Sequence, residues 1–271
     1  MLNVSIVLYR PQWHQVLPLT EQLLRSDQVH KVYWVDNSPD ALDEMPLADA
    51  RVVYKHNGKN LGYGAAHNIA LHESVRDGVQ YHLVLNADVL LEVQALEKMI
   101  SYMDGEPQVG SLMPKVLYPD GELQYLCKLL PSPMDVLTRR LLPKKWFAAR
   151  NARYEMRSSG YNRVMNVPYL SGCFMLLRVE AAAAVGLFDE RYFMYPEDMD
   201  LTRRLHRHYQ TVYYPAVSII HEHGRASYKS LKMLGIHAIN MCRYFNKWGW
   251  FCDAERVRFN RNAEAHYLSC E

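Results

Sequence analysis

No stretch of this 271-residue chain approaches the roughly 18–20 consecutive apolar residues that a membrane-spanning helix needs. The expectation is a soluble or membrane-surface protein. Cysteine is also sparse: Cys127, Cys173, Cys242, Cys252 and Cys270 are odd in number, scattered, and form no CxxC pair. With no signal peptide ahead of Val4, they read as reduced thiols of a cytoplasmic protein. Internal repeats and low-complexity tracts are missing, which excludes solenoids and disordered polymers. Net charge is nearly absent too, at +2, so no nucleic acid is expected among the partners.

What is present is an ordinary globular composition, 49% hydrophobic and 22% charged, enough for one large domain or two small ones. The small net charge hides two basic stretches, +5 over 120–167 and +4 over 224–271, on an otherwise acidic body. Such surfaces suit phosphates or anionic lipid. Short apolar runs at Val4–Tyr9, Val32–Val35, Arg51–Tyr54 and Tyr81–Leu85 alternate with helical patterns at Val16–Leu24 and Asn60–Ser74. Continuous apolar strands separated by helices predict an α/β fold with a mostly parallel, Rossmann-like central sheet flanked by helices. The second half predicts strands at Val109–Leu117, Val167–Arg178 and Thr211–Ile220, helices at Glu180–Val185 and Pro196–Tyr209, and a helical tail from Ser227. Residues 119–167 break the rhythm.

In parallel sheets ligands bind beyond the carboxyl ends of the strands, and two strands here end in an acid, Asp36 and Asp88. Either suits a ribose, a base or a metal, and either suits a helix cap equally. The loop Asn60-Leu61-Gly62-Tyr63-Gly64-Ala65-Ala66-His67-Asn68 is glycine-rich, but His67 occupies the third glycine position of GxGxxG and no P-loop lysine follows. Asp88 follows YHLVLNA and is placed to hold Mg²⁺ or Mn²⁺ together with substrate phosphates; Asn86 stands where a second acid would strengthen that site. Asp198, Leu201 and Leu205 share one helical face, so Asp198 is expected to face inward, while Asp200 is expected to form a surface ion pair with Arg204. Glu197 lies in the first turn, where the helix dipole favours an acid. His221-Glu222-His223 follows the last strand and, if extended, turns both imidazoles to one face.

Together these motifs resemble the family 2 inverting glycosyltransferases of the GT-A fold, over roughly residues 3–225. SGCFMLLRVEAAAAVGLFDERYFMYPEDMDLTRRL (171–205) resembles the acceptor-side block of bacterial rhamnosyltransferases; VDNS, NLGYGAAHN, LNAD and the late HEH support it. The resemblance implies donor-binding roles for Tyr9, Asp36, Asn60, Gly62, Asn68, Asn86 and Asp88. It implies a divalent cation, Mg²⁺ or Mn²⁺, at Asp88 and His221, and a catalytic base at Asp198 with Glu197 beside it. The implied reaction is a single inverting displacement. It moves a sugar from a dTDP- or UDP-sugar, dTDP-L-rhamnose foremost, to a polyprenyl-diphosphate-linked saccharide in O-antigen or capsule synthesis.

The expected organisation is a catalytic domain over 1–225, with a nucleotide-sugar half (1–105) and an acceptor half (106–225), and a helical tail over 226–271. Basic residues Arg139, Arg140, Lys144, Lys145 and Arg150 beside Trp146-Phe147 suggest a mobile acceptor-side flap or a solvated helix face. The tail run Tyr244–Phe251, flanked by Arg243, Arg256, Arg258 and Arg261, suits the cytoplasmic face of the inner membrane, or equally packing onto the catalytic domain or a second copy in a homodimer. A sugar nucleotidyltransferase lacks support, because no Gly-rich, Arg/Lys-bearing loop follows the first strand. A UDP-hexose donor and a non-catalytic sugar-nucleotide-binding subunit remain the alternatives.

Overall fold

Three of the apolar runs of the first half become the middle of a sheet because both of their faces are covered, and the run that forms its edge is half-buried. In the computed structural model, which describes residues 1–141, 144–222 and 231–268, β1 (Leu2–Leu8) lies parallel between β2 (Val29–Asp36) and β4 (Tyr81–Leu85), with β3 (Val52–His56) parallel beyond β2. Leu2, Val4, Ile6 and Leu8 pack under α1 (Trp13–Leu24) and α3 (Val93–Gly105). On the other face Val7, Tyr33 and Val35 meet Ala66 and Ala70 of α2 (Tyr63–Asp77). Each fully buried Leu or Ile of this kind is worth about 1.5–3 kcal/mol.

The sheet order is β3-β2-β1-β4-β10-β6-β11-β5. Here β6 (Val109–Leu117) and β11 (Gln210–His221) are parallel, and β10 (Phe174–Arg178) runs antiparallel between β4 and β6. Two short strands, β5 (Val89–Leu90) and β8 (Met165–Asn166), pair antiparallel with β11.

One expected strand is two. The run Val167–Arg178 breaks at 171–173: β9 (Tyr169–Leu170) pairs with β7 (Cys127–Lys128) in a separate small sheet, and only β10 joins the main one. The chain changes sheets at Gly172, where a side chain would crowd Asp198. Residues 119–167 contain α4 (Pro133–Leu141) and α5 (Ala148–Tyr154) besides β7 and β8.

The α2 face is completed by α6 (Val179–Ala184) and α7 (Glu197–His206): Leu71, Ala181, Ala182, Leu201 and Leu205 pack over Val84, Met175 and Leu177. Beneath α2 a buried relay accounts for His67. Ser74 Oγ donates to the Ala70 carbonyl, so it accepts from His82 Nδ1, at 2.7 Å. His82 Nε2 then accepts from Ser5 Oγ (2.8 Å), and Ser5 Oγ accepts from His67 Nδ1 (2.6 Å). Burial pushes both imidazoles down in pKa, His82 to about 3, so both are neutral. His67 replaces a glycine because it ties α2 to β1.

Asp200 is not on the surface. It pairs with Arg204 (2.8 Å) as expected, but it is fully buried, because Lys247 (2.8 Å) and the Trp248 indole N–H (2.7 Å) come down on it from α8 (Leu231–Trp248). The tail therefore closes over α7. Arg203 makes two hydrogen bonds to Asp253, at 2.6 and 2.8 Å, and one to Glu255 of α9 (Ala254–Leu268). Tyr244 and Phe245 pack with Leu130, Tyr192 and Met199. In the turn between α8 and α9, Trp250 is 38% exposed and Phe251 83%. Among the described residues no helix is long and apolar enough to cross a membrane.

Candidate active site

The carboxyl ends of β2 and β4 open toward the same edge as the start of α2. Asp36, buried at the end of β2, accepts from the Ser38 N–H (2.8 Å) and the Tyr54 hydroxyl (2.8 Å). Asn37 donates to Asn60 Oδ1 (3.3 Å) and the Gly62 carbonyl (3.1 Å), and Asn60 Oδ1 also accepts from the Gly62 N–H (2.9 Å). Gly62 holds φ 90°, and a Cβ there would overlap the Phe193 carbonyl, so only glycine fits. Asn68 is buried, with its amide spent on Phe188 and Glu190. It fastens α2 to the segment ahead of α7. Tyr9 is exposed beyond β1, with Arg10 over its ring.

Because β10 is antiparallel to β4, its first residues lie against the last residues of β4: the Asn86 N–H donates to the Cys173 carbonyl (3.0 Å). That pairing brings the 171–173 turn to Asp88. The short β5–β11 pairing, with His221 opposite Val89, sets His221 Nε2 3.3 Å from Asp88 Oδ1. Gln124 donates to the His221 carbonyl (2.7 Å) and accepts from Nδ1 (3.1 Å), leaving Nε2 facing Asp88. Burial opposes a charge on His221, but the adjoining Asp88 and Cys173 outweigh it and push its pKa up to about 10. A cation at Asp88 competes with that proton. Among the described residues no group of three or more His, Cys, Asp or Glu is placed to hold a metal. The two donors that do converge, a carboxylate and an imidazole, fit a cation completed by phosphate oxygens and water. Asn86 adds a neutral amide, its side chain 2.9 Å from the Tyr63 hydroxyl.

Tyr63 joins this edge to the carboxylates of α7. Its hydroxyl also reaches the Gly172 carbonyl (2.6 Å), and the Gly172 N–H donates to Asp198 Oδ2 (2.9 Å). Asp198 further accepts from the Met199 N–H (2.8 Å) and the Tyr169 hydroxyl (3.4 Å). Desolvation raises the pKa of Asp198, against these donors and the nearby Lys128. Glu197 is 5% exposed and its Oε2 has no hydrogen-bond partner. Burial, then the adjacent Asp198, push its pKa up to about 8, so the pair retains a proton, and the three donors that Asp198 holds and Glu197 Oε2 lacks favour Asp198 as its charged member. An ionised, half-buried carboxylate beside a neutral one is an arrangement for taking a proton from a hydroxyl.

The family model described as "Glycosyl transferase family 2" matches residues 6–186. The chain belongs to glycosyl transferase family 2. It is a glycosyltransferase, and its match ends ahead of α7, so the placement of Glu197, Asp198 and His221 rests on the geometry above. A Mycobacterium tuberculosis N-acetylglucosaminyl-diphospho-decaprenol L-rhamnosyltransferase is 29% identical over 246 residues, 84% of this chain and 78% of that one. The Escherichia coli K12 rhamnosyltransferase WbbL is 27% identical over 254 residues, 90% of each. Among solved structures, GalNAc-T7 with UDP, GalNAc and Mn²⁺ superposes with a TM-score of 0.59 at 13% identity, covering 81% of this transferase and 43% of that chain. That likeness shows the GT-A fold.

The structure thus brings Asn86, Asp88 and His221 together on one side of Tyr63 and Glu197 and Asp198 on the other. His223 lies outside the described residues. Sequence reasoning passed over Tyr63, though it sits inside the glycine-rich loop. Gln124, Lys128 and Tyr169 carry no motif, and nothing short of the fold places them here.

Proposed function

We propose that this transferase moves L-rhamnose from dTDP-L-rhamnose, with inversion, onto a hydroxyl of a saccharide carried on polyprenyl diphosphate, in the synthesis of a bacterial surface polysaccharide such as O-antigen or capsule. The observation that carries the reading is the hydrogen-bonded path Asn86–Tyr63–Gly172–Asp198, which sets the Asp88–His221 pair beside Asn86 and the base at two ends of one edge. The two rhamnosyltransferase relatives supply the sugar and, through the name of the first, the lipid-diphosphate acceptor.

In this reading Asp36, Asn60 and Gly62 shape the nucleotide edge, and Asp88 and His221 hold Mg²⁺ or Mn²⁺ against the donor's diphosphate. When bound, the cation supplies charge neutralisation for the departing nucleoside diphosphate. Asp198 takes the proton of the acceptor hydroxyl as that oxygen attacks the anomeric carbon from the face opposite the nucleotide. Glu197, neutral, adds no charge against this transfer. One displacement without a covalent intermediate inverts the configuration. Residues 1–225 serve as the catalytic unit and 226–271 as a tail packed on it. The exposed Trp250 and Phe251, with Arg243, Arg258 and Arg261 on the same two helices, seat the enzyme peripherally on the cytoplasmic face of the inner membrane.

The test is transfer by the purified protein with Mg²⁺ or Mn²⁺, offering dTDP-L-rhamnose and UDP-hexoses against a GlcNAc-diphosphate-lipid, with product anomers read by NMR. An α-linked donor sugar recovered in β configuration, or the reverse, from dTDP-L-rhamnose supports the proposal. Transfer from UDP-hexose alone replaces the donor. Binding with neither transfer nor donor hydrolysis points instead to a sugar-nucleotide-binding subunit.

A further inference from the structure

Among the described residues, two cations of the stretch between β6 and β9, Lys128 and Arg139, keep hydrogen-bond donors without a partner. Lys128 stands opposite Tyr169 in the β7–β9 pairing, with its Nζ 5.1 Å from the centre of that ring. Among the described residues its ammonium makes no hydrogen bond and no ion pair within 4 Å. Arg139, on α4, lies 4.0 Å over the Tyr154 ring and gives one nitrogen to Glu155 (3.2 Å); its Nη1 is buried without a hydrogen-bond partner. A buried guanidinium N–H left unmatched is costly unless a ligand supplies the acceptor.

The nearby acids are already engaged. Glu155 is shared between Arg139 and Arg157, and both oxygens of Asp198 accept from Gly172, Met199 and Tyr169. Burial, and then Arg139, disfavour the charge on Lys128, against the pull of Asp198, Glu155 and Cys173. The pair is short of negative charge. A point-like ammonium and a planar guanidinium, each with donors to spare, together match a phosphate, which offers several acceptor oxygens to both.

We propose that Lys128 and Arg139 form a cradle for a phosphate of the acceptor. This rests on the reading of the acceptor as a sugar carried on diphosphate. Tyr169, opposite Lys128 in the β7–β9 pair, gives its hydroxyl to Asp198 (3.4 Å), and the Leu129 N–H next to Lys128 donates to the carbonyl of Tyr154 (3.0 Å), the tyrosine whose ring lies under Arg139, whereas Asp88 pairs with His221 of β11. The cradle therefore belongs to the acceptor side. With Tyr169 touching Asp198 through its hydroxyl and Lys128 across its ring, a sugar whose hydroxyl meets Asp198 would present its phosphorylated end to the two cations. The enzyme would then select acceptors by the span from hydroxyl to phosphate.

The experiment compares wild type, Lys128→Gln, Lys128→Arg and Arg139→Lys on GlcNAc-diphosphate-lipid and on an uncharged alkyl glycoside of the same sugar. Melting temperature and dTDP affinity are recorded for each protein. Loss of one charge-assisted contact raises KM for the diphosphate acceptor about 10–100-fold in Lys128→Gln, while KM for the uncharged glycoside stays put and Lys128→Arg recovers most of the loss. Equal loss on both acceptors with a shifted acid limb of the kcat–pH profile would mean that Lys128 acts through Asp198, and overturns the cradle. So do weakened dTDP affinity or an unchanged KM. A separate titration with citronellyl diphosphate under chelator keeps the two readings apart. Binding by wild type but not by Lys128→Gln supports the cradle even where no rhamnose is transferred, and equal binding by both refutes it.

Discussion

An alanine at position 172 would place its methyl carbon 3.0 Å from the Asp198 Cβ and 3.3 Å from its Oδ2. Carbon atoms in good contact sit about 3.5–4.0 Å apart, so something must yield by about 0.5–1 Å. The turn itself is pinned: its N–H donates to Asp198, its carbonyl accepts from Tyr63, and the next carbonyl accepts from the Asn86 N–H. The yielding group is then Asp198 and the first turn of α7. A displacement of about 1 Å at a reacting group costs about 10²-fold in rate, and overpacking costs about 1–3 kcal/mol of stability. Gly172→Ala is accordingly expected to lower kcat about 10²-fold, with dTDP affinity by calorimetry unchanged and the melting temperature lower by a few degrees. Wild-type kcat in a variant whose melting temperature has fallen would refute the reasoning, since the turn would then not set the position of the base.

Asp198→Asn removes the proton acceptor and should lower transfer about 10²–10⁴-fold while leaving dTDP binding intact; a wild-type rate would move the base elsewhere, with Glu197 next to test. Chelation, or Asp88→Ala, should weaken dTDP binding much more than thymidine binding, and equal calorimetric affinities would remove the cation from the site. Asp253→Ala leaves Arg203, 1% exposed, with only Glu255 and the Tyr244 hydroxyl among its hydrogen-bond partners and should cost about 3–5 kcal/mol in urea unfolding; a cost under about 1 kcal/mol would mean that the tail does not brace α7. Acid should destabilise the protein through His67 and His82. Their folded pKa values lie below the unfolded value of 6.5, so the unfolded chain binds the extra protons. Stability is full above pH 6.5 and falls below it by about 1.4 kcal/mol per pH unit per histidine. His82→Gln should flatten that slope between pH 6.5 and 4, and an unchanged slope would contradict the relay.

The sequence by itself determined the parallel half of this protein. Strands such as Tyr81–Leu85 and Val109–Leu117 were legible to the residue, because a strand buried on both faces is mostly apolar and stops at a polar turn. The acids at the ends of β2 and β4 and the face shared by Asp198, Leu201 and Leu205 follow from the same local periodicities. Tertiary structure alone decided how these pieces meet. The antiparallel insertion of β10 brings Cys173 to Asn86, across 87 positions of chain. No local pattern distinguishes a run that enters the sheet antiparallel, or one that breaks between two sheets, from a single parallel strand. Asp200 looked like a surface acid because its only visible partner was Arg204 four residues on, and its burial depends on Lys247 and Trp248 arriving from a distant helix. Lys128 and Arg139 sit in a stretch with no periodicity. Their unmatched donors become visible only when packing shows which other donors and acceptors are already spent, because satisfaction of a polar group is a property of its neighbours in space.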